Sequence, residues 1–318
     1  MTSLMAQEIA QIPEVCDRLL SGPAHNAIAA AAEALRATDP SLLVTVGRGS
    51  SDHAATYLSY VCGILSGVVP ASYPLSLASL HGQRPRAKGQ AALAISQSGR
   101  SPDILAAATA LRDGGAALVV LTNAANNPLA DLSDLTIDVS AGPERAVAAT
   151  KSYVASVFAG LRLMALWHDA KDLLDATTRG PDALSAALGS RSAEMVDVFS
   201  RTDRLLVLGR GPSLGIAQEI ALKAMELCQI TALALSGAEV RHGPMQMLND
   251  GYPVLDLLRA GPLPGSQTFH PPASQALHPL IDPLLDLVPV YIALEAAAQA
   301  RGLDPDAPTR LQKVTTTL

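Results

Sequence analysis

The 318-residue sequence predicts an α/β protein built on parallel, doubly wound sheets flanked by helices in three layers. Three observations lead there. First, apolar runs of roughly four to six residues recur at 42–46, 68–73, 91–95, 117–121 and 135–139, with helical stretches between most of them. Runs that are apolar throughout, rather than alternating, fit strands buried on both faces. Second, one strand–turn–helix unit occurs twice. Val44-Thr45-Val46-Gly47-Arg48-Gly49-Ser50 corresponds to Leu206-Val207-Leu208-Gly209-Arg210-Gly211-Pro212, which suggests two copies of one α/β unit. Third, apolar residues make up 49% of the chain and aromatics only 3%, so the cores are aliphatic.

In chain order, residues 4–20 are amphipathic and interrupted by Pro13, a helical arm before the first domain. Residues 27–36 form an Ala-rich helix. The strand at 42–46 turns at 47–51 into a helix over 52–65, and a short strand follows at 68–73. The strand at 91–95 breaks into Ser96-Gln97-Ser98-Gly99-Arg100-Ser101, and a helix runs over 103–112. Strands at 117–121 and 135–139 complete the first set. Residues 151–168 make a long apolar helix. The polar stretch 170–181 contains Gly180-Pro181 and is taken as the domain junction. A helix over 183–199 opens the second half, with a strand at 205–208, a helix at 213–228, and strands at 231–235 and 253–258. Residues 260–279 are rich in proline and show no helix or strand, where a second copy should supply one of each. A final helix spans 282–301. The domains are thus an arm, 1–25, a first domain, 26–178, and a second domain with its tail, 179–318.

Composition narrows the function. The net charge is −6 and no basic run occurs, which argues against a nucleic-acid partner, although a local loop can still hold a small anion. Cys16, Cys62 and Cys228 are scattered and odd in number, with neither a disulfide framework nor metal-ligand spacing. Residues 1–20 carry Glu8, Glu14 and Asp17 and lack the basic start of a signal peptide. No apolar run reaches the ~20 residues of a membrane span. A cytoplasmic protein without a membrane partner is expected.

Two stretches can carry chemistry. The 96–101 turn sits where a strand gives way to a helix N-terminus, whose unpaired N–H groups and dipole suit a phosphate. A plain capped turn has the same composition. Neither Gly-Arg-Gly is a dinucleotide fingerprint, since the third glycine and the later acidic residue are missing. The second stretch is Glu219-Ile220-Ala221-Leu222-Lys223-Ala224-Met225-Glu226. Spacings of four and three put its ionisable groups near one helix face. They are either surface ion pairs or, because the helix is apolar nearly all round, buried groups with shifted pKa values suited to a general base. His242 lies on a turn before Gly243-Pro244. Lys151 starts a helix, and Lys313 sits in a tail with the composition of a disordered end.

Several segments together resemble the sugar isomerase (SIS) domain family in its tandem two-domain form. They are Gly47 to Ala54, Ser96 to Ser101, Val147-Ala148-Ala149-Thr150-Lys151, Ala221 to Glu226, Gly237 to Pro244, and the tail around Lys313. The pattern is similar to the isomerase half of glucosamine-6-phosphate synthases, and closer to stand-alone SIS-type glucosamine-6-phosphate deaminases. Arg100 stands where the synthase-type pattern has an acidic residue. No glutaminase domain precedes the pair, so glutamine-dependent synthesis is not expected.

The resemblance implies two SIS domains and an amino-sugar phosphate as substrate. Gly49, Ser50, Ser51, Ser96, Gln97, Ser98 and Ser101 would cradle the phosphate. Val147 and Ala149 would line the sugar through backbone groups. Glu226 would move the proton between C1 and C2, and Lys223 would assist near the hydroxyls. His242, from the neighbouring subunit of a homodimer, would open the ring, and Lys313 would belong to a tail that closes over the substrate. No cofactor or metal is needed. Glucosamine 6-phosphate would give fructose 6-phosphate and ammonia. The alternatives are an aldose–ketose phosphosugar isomerase, a fructosamine-6-phosphate deglycase, and a non-catalytic sugar-phosphate sensor.

Overall fold

The computed structural model describes residues 2–123, 126–133 and 135–313; the end of the tail expected to close over the substrate, residues 314–318, lies outside them. These residues divide into two compact units. The first comprises residues 13–143 and 151–181, and the second 2–12, 144–150 and 182–313. Helices α1 (Leu4–Ala10) and α2 (Ile12–Arg18) form the N-terminal arm. The arm breaks at Gln11 rather than at Pro13. Gln11 caps α1, and Pro13 falls in the first turn of α2, where a missing N–H is tolerated.

The first unit holds α3 (Gly22–Thr38), β1 (Leu42–Val46), α4 (Ser50–Ser66), β2 (Val69–Ser72), α5 (Ser76–Ser79), β3 (Ala91–Ser96), α6 (Pro102–Asp113), β4 (Ala117–Thr122), β5 (Leu135–Asp138) and α7 (Lys151–Trp167). Its five strands are all parallel, in the order β2-β1-β3-β4-β5. Every residue of β3 is buried, as its unbroken apolar run requires. Val44, Val46, Ala92, Ala94 and Val120 pack on Ile104, Ala107, Ala108 and Leu111 of α6. The alternate residues face α3, α4 and α7. A Cβ on Gly160 would lie 2.2 Å from Leu58, so α7 and α4 approach more closely there than any side chain at 160 allows.

The order of strands places a switch point between β1 and β3, the position at which open α/β sheets bind ligands beyond the strand C-termini. The two serine-rich turns leave the sheet at that point.

Helix α8 (Lys171–Gly189) runs through Gly180-Pro181, so the stretch read as a polar linker is helical, with Pro181 inside the helix. The two units nevertheless divide inside this helix, between Pro181 and Asp182, at the end of the expected junction, and α9 (Ala193–Arg201) follows.

The second unit holds β6 (Arg204–Gly209), α10 (Ser213–Cys228), β7 (Thr231–Ser236), β8 (Tyr252–Asp256), β9 (Ser266–Phe269) and α11 (Asp282–Ala300). Its strands are parallel in the order β7-β6-β8-β9. Strand β9 corrects the reading of 260–279 as lacking a strand. Thr268 and Phe269 pair with Val254 and Leu255. No helix links β8 to β9; residues 257–265 make the crossover, with Arg259, Gly261 and Gly265 at positive φ. On one face of this sheet α10 packs against β6 and β7, and α9 and α11 pack against α10 and each other. The other is covered by Val240, Met247, Leu248 and Leu263, from 3-10 turns and loops. Helix α11 is long and apolar enough to cross a membrane by length and composition, and 67% of that window is buried within the chain.

Candidate functional site

The turn after β3 is held from behind. Ser96, 4% exposed, accepts a hydrogen bond at Oγ from the Gly99 N–H at 3.1 Å. Gly99 has φ +62°, and a Cβ on it would fall 1.8 Å from Asn127 Oδ1. Asn127 donates to Thr122 Oγ1 at 3.0 Å and accepts from the N–H groups of Leu129 and Ala130, so it cannot move aside cheaply. Leu129 donates in turn to the Gly99 carbonyl. Ser101 is the N-cap residue of α6, but its side chain does not cap the helix.

The turn after β1 lies on the neighbouring strand. A Cβ at Gly47 would stand 2.8 Å from the Asp52 nitrogen, and Gly49 has φ +53°, so the backbone of this turn is reserved for glycine. Gly49 precedes α4, and Ser50 and Ser51 are its first residues. Arg48 reaches Asp103 of α6 at 2.7 Å, and this pairing offsets a buried carboxylate beside the turn. Burial pushes the Asp52 carboxyl up, against the opposing pull of His53 and Arg48. Gly49, Ser50, Ser51, Ser96, Gln97, Ser98 and Ser101 therefore come from two turns at one switch point.

The second unit has no equivalent. At the end of β8, where β3 has Ser96, stands Asp256, 1% exposed, whose carboxylate accepts from the N–H groups of Leu258 and Ala260. A buried carboxylate there repels a phosphate.

Helix α10 resolves the ambiguity of its charges in favour of burial. Lys223 and Glu219 are 1% and 0% exposed at the side chain, and Glu226 is 21% exposed. Lys223 Nζ lies 2.6 Å from Glu226 Oε2 and 3.3 Å from Glu219 Oε1. Burial alone would lower the Lys223 pKa, but the two carboxylates hold it above its ordinary value. Tyr291 of α11 donates to Glu219 at 3.0 Å. Sequence reasoning missed Tyr291 because it lies in an apolar helix with no charge pattern around it. Of the three ionisable groups, only Glu226 lines open space. It borders a cavity of about 480 Å³ with Leu222, Met225, Gln229, Ile230, Thr231 and residues 308–311.

The segment 144–150 belongs to the second unit and is fastened there. Glu8 accepts from the N–H groups of Arg145 and Ala146, and Glu144 accepts from Thr150 N at 3.0 Å. Lys313 Nζ donates to the Ala146 carbonyl at 2.7 Å and lies 3.3 Å from Glu144. Its position is therefore defined, unlike the disordered tail suggested by composition. Val147 N–H donates to Asp306 O, so a backbone contact from Val147 to a ligand must come from its carbonyl. Ala149 lies in the same segment.

His242 ends a 3-10 turn and is exposed to solvent. The described residues thus form three groups: the two serine turns, the Lys223–Glu226 pair, and Lys313 on the 144–150 segment. Among them no cluster of three or more His, Cys, Asp or Glu could hold a metal ion. All three cysteines are buried, and burial raises the Cys228 thiol to about 12 despite Arg301 nearby.

Comparison with known proteins accords with this geometry. Residues 39–166 match the SIS domain family. A candidate phosphosugar isomerase from Silicibacter pomeroyi is 41% identical, with a TM-score of 0.90 over 96% of this chain and 100% of that one. Glucosamine-6-phosphate deaminase from Thermotoga maritima shares the fold, with a TM-score of 0.79 at 19% identity over 99% of this chain and 100% of that one. The isomerizing glutamine–fructose-6-phosphate aminotransferase of Pyrobaculum aerophilum is 28% identical over 347 residues, spanning 98% of this chain and 57% of the relative. The chain spans about half the length of the curated relatives it matches.

Proposed function

The chain belongs to the SIS domain family, and from that premise we propose that it is an amino-sugar-phosphate deaminase, converting glucosamine 6-phosphate and water into fructose 6-phosphate and ammonia. The two sheets are read as two SIS units, over 26–178 and 179–318. The observation that carries the reading is the Lys223–Glu226 pair. A buried ammonium 2.6 Å from a carboxylate orients that carboxylate, and of the pair the carboxylate alone reaches open space.

In this reading the serine turns of the first unit anchor the 6-phosphate. His242 of a second copy protonates the ring oxygen and opens the ring. Glu226 takes the C2 proton and delivers it to C1, with Lys223 near the hydroxyls. The C2 amine becomes a ketimine. Water adds at C2, the C2–N bond breaks, and ammonia leaves. Val147 and Ala149 supply backbone contacts, and Lys313 holds their segment in place. Positioned acid–base groups suffice for each step.

The test is a coupled assay for ammonia and fructose 6-phosphate over a panel of hexose and hexosamine 6-phosphates. Equal amounts of both products from glucosamine 6-phosphate are expected, with none from Glu226→Gln. Turnover of glucose 6-phosphate to its ketose, without ammonia from any amino sugar, would make the protein an aldose–ketose isomerase instead. A thermal shift with phosphosugars and no turnover of any would make it a sensor.

A further inference from the structure

Lys223 is shared unevenly between its two carboxylates, and the unevenness runs against burial. Attraction between an ammonium and a carboxylate grows as water is excluded from around them. Glu219 is 0% exposed and Glu226 21%, so burial alone would draw Nζ toward Glu219. The ammonium nevertheless stands 2.6 Å from Glu226 Oε2 and 3.3 Å from Glu219 Oε1. Tyr291 of α11 accounts for this. Its phenol donates at 3.0 Å to Glu219 Oε1, the same oxygen that faces Nζ. A hydroxyl donating to a carboxylate makes a charge-assisted hydrogen bond, roughly twice as strong as a neutral one. Two donors on one oxygen divide its charge and repel each other, so the phenol holds the ammonium back. Tyr291 is itself 0% exposed, in a helix whose Leu287, Val288, Val290 and Leu294 are buried and apolar. The hydroxyl is not the sole tie between the helices. Helices α10 and α11 pack directly, and Cys228 Sγ donates to the Leu294 carbonyl at 3.4 Å.

We infer that Tyr291 is a positioning residue for the reaction: its hydroxyl occupies Glu219, and Lys223 is thereby left to orient Glu226, the carboxylate that reaches open space. Tyr291 and Glu219 are both fully buried, so they act on the substrate only through Lys223. This inference rests on Glu226 being the base of the proposed reaction. Tyr291→Phe keeps the ring and removes the donor. Glu219 is then a buried carboxylate short of a hydrogen bond, a costly state that Nζ relieves by moving toward it. Glu226 loses the contact that sets its carboxylate plane. The serine turns proposed to anchor the phosphate belong to the first unit and are untouched. Proton transfer therefore suffers while substrate binding does not.

The experiment uses the full chain as wild type, Tyr291→Phe, Glu219→Gln and the double variant. Measured for each are kcat and KM with glucosamine 6-phosphate, the urea midpoint, and a crystal structure without ligand. Tyr291→Phe is expected to lower kcat about tenfold or more and to change KM by less than about twofold. In its crystal structure Nζ is expected nearer to Glu219 than to Glu226. In the Glu219→Gln background the buried oxygen is neutral and no longer draws the ammonium. There Tyr291→Phe is expected to change kcat by less than about twofold and to leave Nζ on Glu226. If Tyr291→Phe alone fails to fold, the double variant against Glu219→Gln decides, by the same two readings. An equal fall in kcat in both backgrounds overturns the inference, as does Nζ staying on Glu226 in Tyr291→Phe. A lower urea midpoint with kcat unmoved, or kcat and KM changing together, makes the hydroxyl a tether between helices and also overturns it. In each of these cases wild-type turnover leaves the deaminase standing. No turnover of glucosamine 6-phosphate by the wild type overturns the deaminase reading and this inference with it.

Discussion

Lys223 is a buried cation that serves two carboxylates of its own helix. It holds Glu219, fully buried, and Glu226, partly open, on one helix. Lys223→Met leaves the Glu219 carboxylate buried beside Tyr291 without its cation, and a loss of about 3–5 kcal/mol in unfolding free energy is expected. The pH dependence has a definite sign. The folded pKa of Lys223 lies above the ordinary 10.5, so its contribution is complete below 10.5 and declines as pH rises through the higher folded value. Urea unfolding at neutral pH and again above 10.5 should show the wild type losing stability over that interval and Lys223→Met losing less. An equal loss in both contradicts the assignment. The spacing of Glu219, Lys223 and Glu226 was legible in the sequence. Their burial was legible only as one of two readings, because it depends on α11 arriving from far along the chain with Tyr291 to meet Glu219.

Among the elements, the turn between β3 and α6 is the most constrained. Gly99→Ala is expected to destabilise the fold by about 1–3 kcal/mol, from the left-handed φ and the contact with Asn127. Under the proposed function it should also raise KM for a phosphosugar more than it lowers kcat, since in that reading the turn anchors the phosphate and takes no part in the proton transfer. A fall in kcat alone would place the turn elsewhere in the mechanism. The strand, turn and helix here were all legible, because β3 is buried on both faces and its composition shows it. Strand β9 was not. Ser266-Gln267-Thr268-Phe269 sits at the edge of its sheet, only Phe269 is buried, and prolines follow it closely, so the apolar signal is one residue long. Helix α8 escaped for the opposite reason. Gly180 and Pro181 carry the local signature of a turn, yet buried Leu173, Ala176, Leu184 and Ala187 keep the helix intact through them.

For the whole molecule, the repeat around Gly47 and Gly209 announced two parallel sheets, and the structure has two, of five and four strands. They differ where the turns leave: Ser96 ends β3, and Asp256 ends β8. A homodimer that shares His242 between subunits makes a distinct prediction. Glu226→Gln and His242→Ala are each expected to be inactive alone. Mixed by refolding in equal amounts, they should recover about a quarter of wild-type activity, because half the dimers are hybrids with one intact site each. No recovery would place both groups in one chain's site. The central claim is that Glu226 removes the C2 proton. Glucosamine 6-phosphate deuterated at C2, followed by NMR, tests it most directly. The wild type should remove the C2 deuterium as ammonia appears, and Glu226→Gln should do so about 10²–10⁴ times more slowly. Deuterium loss at the wild-type rate in Glu226→Gln, or a wild type that leaves the label in place, would contradict it.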